Sequence, residues 1–146
     1  MLKFPARFEA DPQGGYVVTF RDIPEAITQA DTLEEARGMA RDALVTAMDF
    51  YFDAGRAVPA PSKARRTEEV VALPPSISTK VELLNRVVAS KTRPVDLARR
   101  MGIKAQEVTR ILDLHHTTKI DTLAEAFAAL GYELDLSVNQ RCTVAV

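Results

Sequence analysis

The chain has 146 residues, 47% of them hydrophobic and 27% charged, with a formal net charge of −1. That length and apolar content fit one domain or two small ones and exclude a disordered chain. No stretch approaches the ~20 apolar residues of a membrane helix, and MLKFPARFEAD lacks the apolar run of a signal peptide, so no membrane partner and a cytoplasmic location are expected.

In chain order, KFPARFEA alternates Phe4, Ala6, Phe8 and Ala10 against Lys3, Pro5, Arg7 and Glu9, the period of a strand with one buried face. Pro5 lacks an N–H, which predicts an edge position. DPQGG then reads as a turn and YVVTF as a second strand carrying Tyr16, Val18 and Phe20 inward, so the two form a hairpin. AITQA gives a third short strand after the Pro24 loop. TLEEARGMARDALVTAMDFYFDAG predicts a long helix, with a Thr32/Glu35 capping box, an apolar stripe through Ala36, Ala40, Leu44, Ala47 and Tyr51, and Gly55 as its stop. After residues 56–67, EEVVAL supplies a fourth strand and Pro74-Pro75 a stiff hinge. Residues 1–73 therefore read as a βββαβ unit of α+β class.

Residues 74–146 read as an all-α unit with a short C-terminal strand. Thr79 and Glu82 suggest a capping box for a helix bearing Val81, Leu84 and Val88. PVDLARRMGIKAQEVTRIL then places Leu97, Ala98 and Met101 on one helical face, Gly102 as a reversal, and Val108 and Ile111 on a second face. Small Ala98 lets two helices cross closely, and Ile103 can fill the space between them. Any helical hairpin shares this skeleton. What favours a DNA-binding helix-turn-helix is the polar, net basic face that follows: Lys104, Gln106, Thr109 and Arg110, with Gln suited to adenine and Arg to guanine. The loop DLHHTTKI brings His116, Thr118 and Lys119 toward phosphates, or leaves them as plain surface residues. IDTLAEAFAALGY adds a supporting helix with Asp121 as N-cap, Leu123, Phe127 and Leu130 at helical spacing, and Gly131 as its stop. In YELDLSV, Leu134, Leu136 and Val138 alternate with polar residues on a strand that has no neighbour in sequence. Either it pairs with its copy across a two-fold axis, giving a homodimer or higher oligomer on a palindromic operator, or it packs back on its own helices.

Charge is divided unevenly. Residues 1–55 carry five Lys or Arg against ten Asp or Glu, a balance of −5, whereas residues 76–146 carry ten against eight, a balance of +2. An acidic front suits a basic protein and a mildly basic back suits DNA, though both also describe ordinary solvated surfaces.

QGGYVVTFRDIPEAITQADTLEEARGMARDAL resembles the front domain of the HicB antitoxins, with their Gly-Gly-Tyr strand, Asp-x-Pro loop, short strand and acidic-capped helix. The resemblance extends over nearly the whole chain, since many members append a repressor-type helix-turn-helix. It implies a partial ribonuclease-H-like fold that is no nuclease but silences a small basic, messenger-cleaving ribonuclease toxin of the HicA kind. It also implies repression of the chain's own operon. One departure is Ala30, where a glycine commonly precedes the capping acid. Asp22, Glu25 and Asp31 are the exposed loop carboxylates on which the toxin is expected.

A two-metal nuclease needs three or four converging acids, and the strands supply almost none: Glu9 is at a strand end, Asp22 in a loop, and Asp31, Asp49 and Asp53 at helix ends or faces. Adjacent His115 and His116 diverge and have no third ligand at suitable spacing, and Cys142, the one cysteine, has no neighbouring thiol. No catalysis, cofactor or metal is expected. A regulator whose front domain senses a small ligand is the alternative to an antitoxin, and a nuclease the weakest contender.

Overall fold

The computed structural model describes residues 1–142. The front unit contains β1 (Lys3–Ala10), β2 (Tyr16–Thr19), β3 (Ile27–Ala30), α1 (Leu33–Ala54) and β4 (Glu68–Ala72). The strands form one sheet in the order β3-β2-β1-β4, antiparallel at every pairing. The α+β class and the βββαβ order are as the sequence predicts.

Pro5 is not on an edge strand, because β1 lies inside the sheet. The pairing offers the explanation: β4 lies along Lys3–Arg7 and β2 along Arg7–Ala10, so at Pro5 the strand has a neighbour on one side only. The missing N–H is tolerated at what is locally an edge. At the hairpin tip, Gly15 has φ +80° and a side chain there would stand 2.6 Å from the Ala30 carbonyl oxygen. Tyr16 pairs with Ala30 across β2 and β3, and Ala30 has no positive φ, so this turn needs no glycine at position 30.

Helix α1 lies on the sheet face that carries Phe4, Ala6 and Val18, all fully buried. Ala36, Ala40 and Ala47 let it come close, while Leu44, Met48 and Tyr51 fill the gap. Each buried side chain of the Leu or Phe kind contributes about 1.5–3 kcal/mol. Thr32 accepts a hydrogen bond from the Glu35 amide at 3.2 Å, which starts the helix. Gly55, at φ 61°, ends it.

Residues 56–67 are tied down by side chains. Ser62 donates from both its amide and its hydroxyl to Asp22, at 2.8 and 2.7 Å. Arg21 donates to the Lys63 carbonyl at 2.6 Å and holds Glu68 through two nitrogens. Val58 is buried, and its amide and carbonyl pair with the Asn85 side chain at 2.8 and 3.1 Å.

The second half holds α2 (Pro75–Ala89), α3 (Pro94–Met101), α4 (Ala105–Ile111) and α5 (Ile120–Ala129). Helix α2 starts earlier than the expected capping box allows. Pro75 at the first helical position pre-sets φ and opens the helix. Thr79, now inside it, donates its hydroxyl back to the Pro75 carbonyl at 2.7 Å, and Glu82 pairs with Arg86 instead. Likewise α5 begins at Ile120 on Lys119, leaving Asp121 in its first turn rather than at the cap.

Two cores exist, and α2 serves both. Val81 and Leu84 join the core under the sheet, whereas Leu83 and Val87 join the core made by Leu97, Ala98, Val108, Ile111, Leu123 and Phe127. The Leu2 amide donates to the Ser78 hydroxyl at 2.8 Å, and the Leu73 amide to the Leu2 carbonyl at 3.0 Å. Pro74-Pro75 is therefore a fixed junction rather than a hinge, and the division expected at residue 74 cuts beside a helix that the front core needs.

Candidate nucleic-acid interface and acidic front surface

Helices α3 and α4 meet at Gly102, whose φ of 69° only glycine adopts without cost. The turn is closed by the Ile103 amide on the Ala98 carbonyl at 3.0 Å and the Gly102 amide on the Arg99 carbonyl at 3.3 Å. Leu97 and Ala98 face the core, and α4 buries Val108 and Ile111 against them. At 3.6 residues per turn, Gln106, Thr109 and Arg110 then share the opposite, exposed face.

Among the described residues, the side chains of Lys104, Gln106 and Arg110 have no internal hydrogen bond or ion pair. Thr109 donates to the Ala105 carbonyl at 3.2 Å. Beside this face, α3 exposes Arg99, which stands 3.7 Å from Asp96, and Arg100. Arg93 also holds Asp96, at 2.9 Å, and lowers the pKa of that carboxyl below its ordinary value. Across α3 and α4, Arg99, Arg100, Lys104 and Arg110 are exposed together with a single acid, Glu107.

The following loop is more specialised than its polar sequence suggests. His116 and Lys119 are exposed. Thr118 turns inward: its hydroxyl is buried and has no hydrogen-bond partner among the described residues, so this conformation does not offer it to a phosphate. His115 Nε2 stands 3.0 Å from Asp49 on α1. No group of three or more His, Cys, Asp or Glu capable of holding a metal occurs among the described residues.

Of the three front carboxylates named for the toxin, two are engaged internally. Asp22, its side chain 12% exposed, holds Ser62. Glu25 accepts from the Tyr51 hydroxyl at 2.7 Å and from Arg56 at 3.1 Å. The Tyr51 hydrogen bond is the largest influence lowering the Glu25 pKa. Burial first, then that same bond, pushes the Tyr51 hydroxyl up to about 12. Asp31 alone of the three has no hydrogen-bond or ion-pair partner among the described residues. It lines an open cleft of about 450 Å³ with Asp11, Tyr16, Gln29, Glu35 and Met39, at the hairpin tip and the start of α1.

The C-terminal segment is not a strand in the single chain: residues 133–142 pair with nothing in the sheet. Leu134 is half-buried against the second core, while Leu136 and Val138 are 65% and 100% exposed. Tyr132 before them lies under the Arg86 guanidinium, 5.3 Å from ring centre to charge.

Sequence reasoning missed Lys80, Asn85 and the Asp49–His115 contact. A lysine among apolar neighbours at helical spacing is the one available signal, and it marks Lys80.

A family described as the HicB-like antitoxin of bacterial toxin-antitoxin systems matches residues 3–82, which includes the start of α2 up to Val81 in the front core. Among curated proteins, Antitoxin HicB 1 of Photorhabdus laumondii is 47% identical over 94% of this chain and 88% of its own. Antitoxin HicB 2 of the same organism is 50% identical over 92% and 95%. Antitoxin HicB of Escherichia coli is 45% identical over 92% and 98%. With more than half the chain matched and relatives aligned nearly end to end, the chain belongs to the HicB antitoxin family.

Proposed function

We propose that this antitoxin binds and neutralises a small basic, messenger-cleaving ribonuclease of the HicA kind through its front unit, and represses its own operon through its rear unit. Neutralisation is by occlusion in the cytoplasm, and the antitoxin makes or breaks no bond. The observation that carries the DNA half is the face of α4. Gln106 and Arg110 project from it with no internal partner among the described residues, opposite the buried Val108 and Ile111. Side chains engaged with the protein cannot read bases, and these are unengaged. For the toxin half, the free carboxylates at the Asp31 cleft suit the cationic groups with which a ribonuclease holds its substrate.

Exposed Leu136 and Val138 suit pairing between copies of the chain, which would set two copies of α4 on a palindromic operator.

Co-expression with the adjacent short basic open reading frame tests the reading. The two products should copurify, and the pair should bind the operon's promoter. Arg110→Ala or Gln106→Ala should each lose about 1–3 kcal/mol of operator discrimination at fixed salt and leave toxin binding intact. Equal operator affinity in both variants and the unaltered chain would remove α4 as the DNA surface.

A further inference from the structure

The carboxyl end of α4 is gripped from outside the helix-turn-helix. Lys80, on α2, is 2% exposed. Its Nζ donates to the carbonyl oxygens of Asp113 at 2.6 Å, His116 at 2.7 Å and Arg110 at 3.4 Å. All three ammonium protons have an acceptor, and every acceptor lies on the last turn of α4 or the loop leaving it. The Arg110 carbonyl, which also accepts from the Asp113 amide at 3.1 Å, lies at the negative end of the α4 dipole, so a cation beside it is favourable. Burial pushes the Lys80 pKa below its ordinary value, with the Asp113 charge acting against this.

Packing does not explain a lysine here. A buried ammonium carries a desolvation cost that an apolar side chain of similar length avoids. What the lysine adds is direction. Helix α4 has seven residues and two fully seated anchors, Val108 and Ile111, which fix its depth better than its tilt. Gly102 defines the entry of the helix, and Lys80 defines its exit. The lysine is itself placed by Val81 and Leu84, its near neighbours in the front core.

We propose that Lys80 is a positioning residue for operator recognition, fixing the angle at which α4 presents Gln106 and Arg110 to base edges. This rests on the DNA-binding reading above. Bidentate base contacts depend steeply on geometry, whereas contacts to phosphates tolerate small shifts, so a loosened exit should cost discrimination first.

The test uses the full chain with Lys80→Met, which keeps length and removes the donors, and Lys80→Arg, which keeps donors able to reach the same carbonyls. Expected for K80M is a fall of about tenfold or more in operator affinity, with non-operator affinity and toxin binding within about twofold of the unaltered chain. Amides of residues 111–118 should exchange faster in K80M while those of α1 stay as they were. K80R should keep operator affinity within about threefold. An unchanged ratio of operator to non-operator affinity in K80M overturns the proposal, as does a parallel loss of operator, non-operator and toxin binding. Should K80M fail to fold, Lys80→Gln takes its place: faster amides at 111–118 with a reduced operator ratio uphold the proposal, and faster amides with the ratio kept overturn it. Q106A and R110A are measured alongside. If neither weakens operator binding, the broader reading falls and this one with it; if both do while K80M keeps its ratio, only this inference falls.

Discussion

The carboxylates of the front unit and the exposed face of α4 in the rear differ in how far the fold engages them. In the front, several charged groups are engaged within the fold: Arg21 holds Glu68, Arg37 holds Glu69, Arg56 and Tyr51 hold Glu25, and Asp22 holds Ser62. These contacts lower the pKa values of Glu68, Glu69 and Glu25, led in each case by the hydrogen bond from the named partner. In the rear, Arg86 holds Glu82, Arg93 holds Asp96 and Lys80 is buried on backbone carbonyls, but the side chains of Lys104, Gln106 and Arg110 have no partner among the described residues. The balance of −5 over residues 1–55 does not tell which carboxylates are free, and the +2 of residues 76–146 does not tell that Lys104 and Arg110 are exposed on one helix-turn-helix. Net charge by region counts groups; only geometry tells which are available to a partner.

The largest effects should come from the two cores. Leu44→Ala under the sheet and Leu97→Ala behind the helix-turn-helix should each cost about 2–5 kcal/mol, since both side chains are fully buried. Because α2 contributes to both cores, calorimetry should show one unfolding transition that both substitutions move. Two separable transitions would break the picture of a shared helix and restore independent units.

A smaller pair sharpens the contrast between engaged and free acids. Asp22→Ala should cost about 1–3 kcal/mol in denaturant unfolding by orphaning the Ser62 donors. Asp31→Ala should change stability by no more than about 0.5 kcal/mol and show its effect in toxin binding. Were Asp31→Ala the more destabilising of the two, the assignment of free and engaged would be reversed.

Acid titration reads the same contrast on one residue. The Glu25 carboxyl sits below its ordinary 4.5 in the folded chain, so its contribution is present above that pH and is lost as pH falls through the folded value. Glu25→Gln should flatten the acid limb of a stability–pH curve. Tyr51 acts at the other end: its pKa rises from 10.0 to about 12, so its contribution is complete below 10.0 and disappears as pH rises toward 12. Tyr51→Phe should remove that alkaline decline.

The smallest effect concerns how helices stop. After α1, α3 and α5 the left-handed residue is Gly55, Gly102 or Gly131, and after α2 it is Lys91, at φ 53°. The bonding is alike: the Lys91 amide reaches the Val88 carbonyl and the Thr92 amide the Val87 carbonyl, both at 3.1 Å. A side chain there costs about 1–2 kcal/mol, which glycine relieves while adding unfolded-state entropy. Lys91→Gly should be neutral or stabilising by up to about 1 kcal/mol in thermal unfolding. Clear destabilisation would show that the lysine contributes a contact of its own.

Much of this was legible in the sequence because it is periodic or punctuated. Alternation in KFPARFEA and YVVTF marks the strands, Thr32 and Gly55 bound α1, and Gly102 between two apolar faces marks the hairpin that carries Gln106 and Arg110. What escaped depends on pairings between distant residues. Pro5 suggests an edge because spacing cannot show that β2 stops short of it. Thr79 resembles a cap because its return to Pro75 is decided by where the helix begins. Asp22 and Glu25 look like free loop acids until Ser62, Tyr51 and Arg56 close on them. Lys80 is invisible as a cap because its acceptors are backbone carbonyls, which every residue possesses.

The double seating of α2 also determines where the molecule can be divided. A fragment ending at residue 74 would leave open the places of Val81 and Leu84, exposing part of the front core to solvent and to other chains. Ending instead after Ser90 would fill that core, though Leu83 and Val87 would then lie bare. The same constraint bears on descent: an exchange of the rear helices for different ones has to keep α2, or rebuild one of its faces while preserving the other. The two halves thus share one helix, and the seam between them runs along its length.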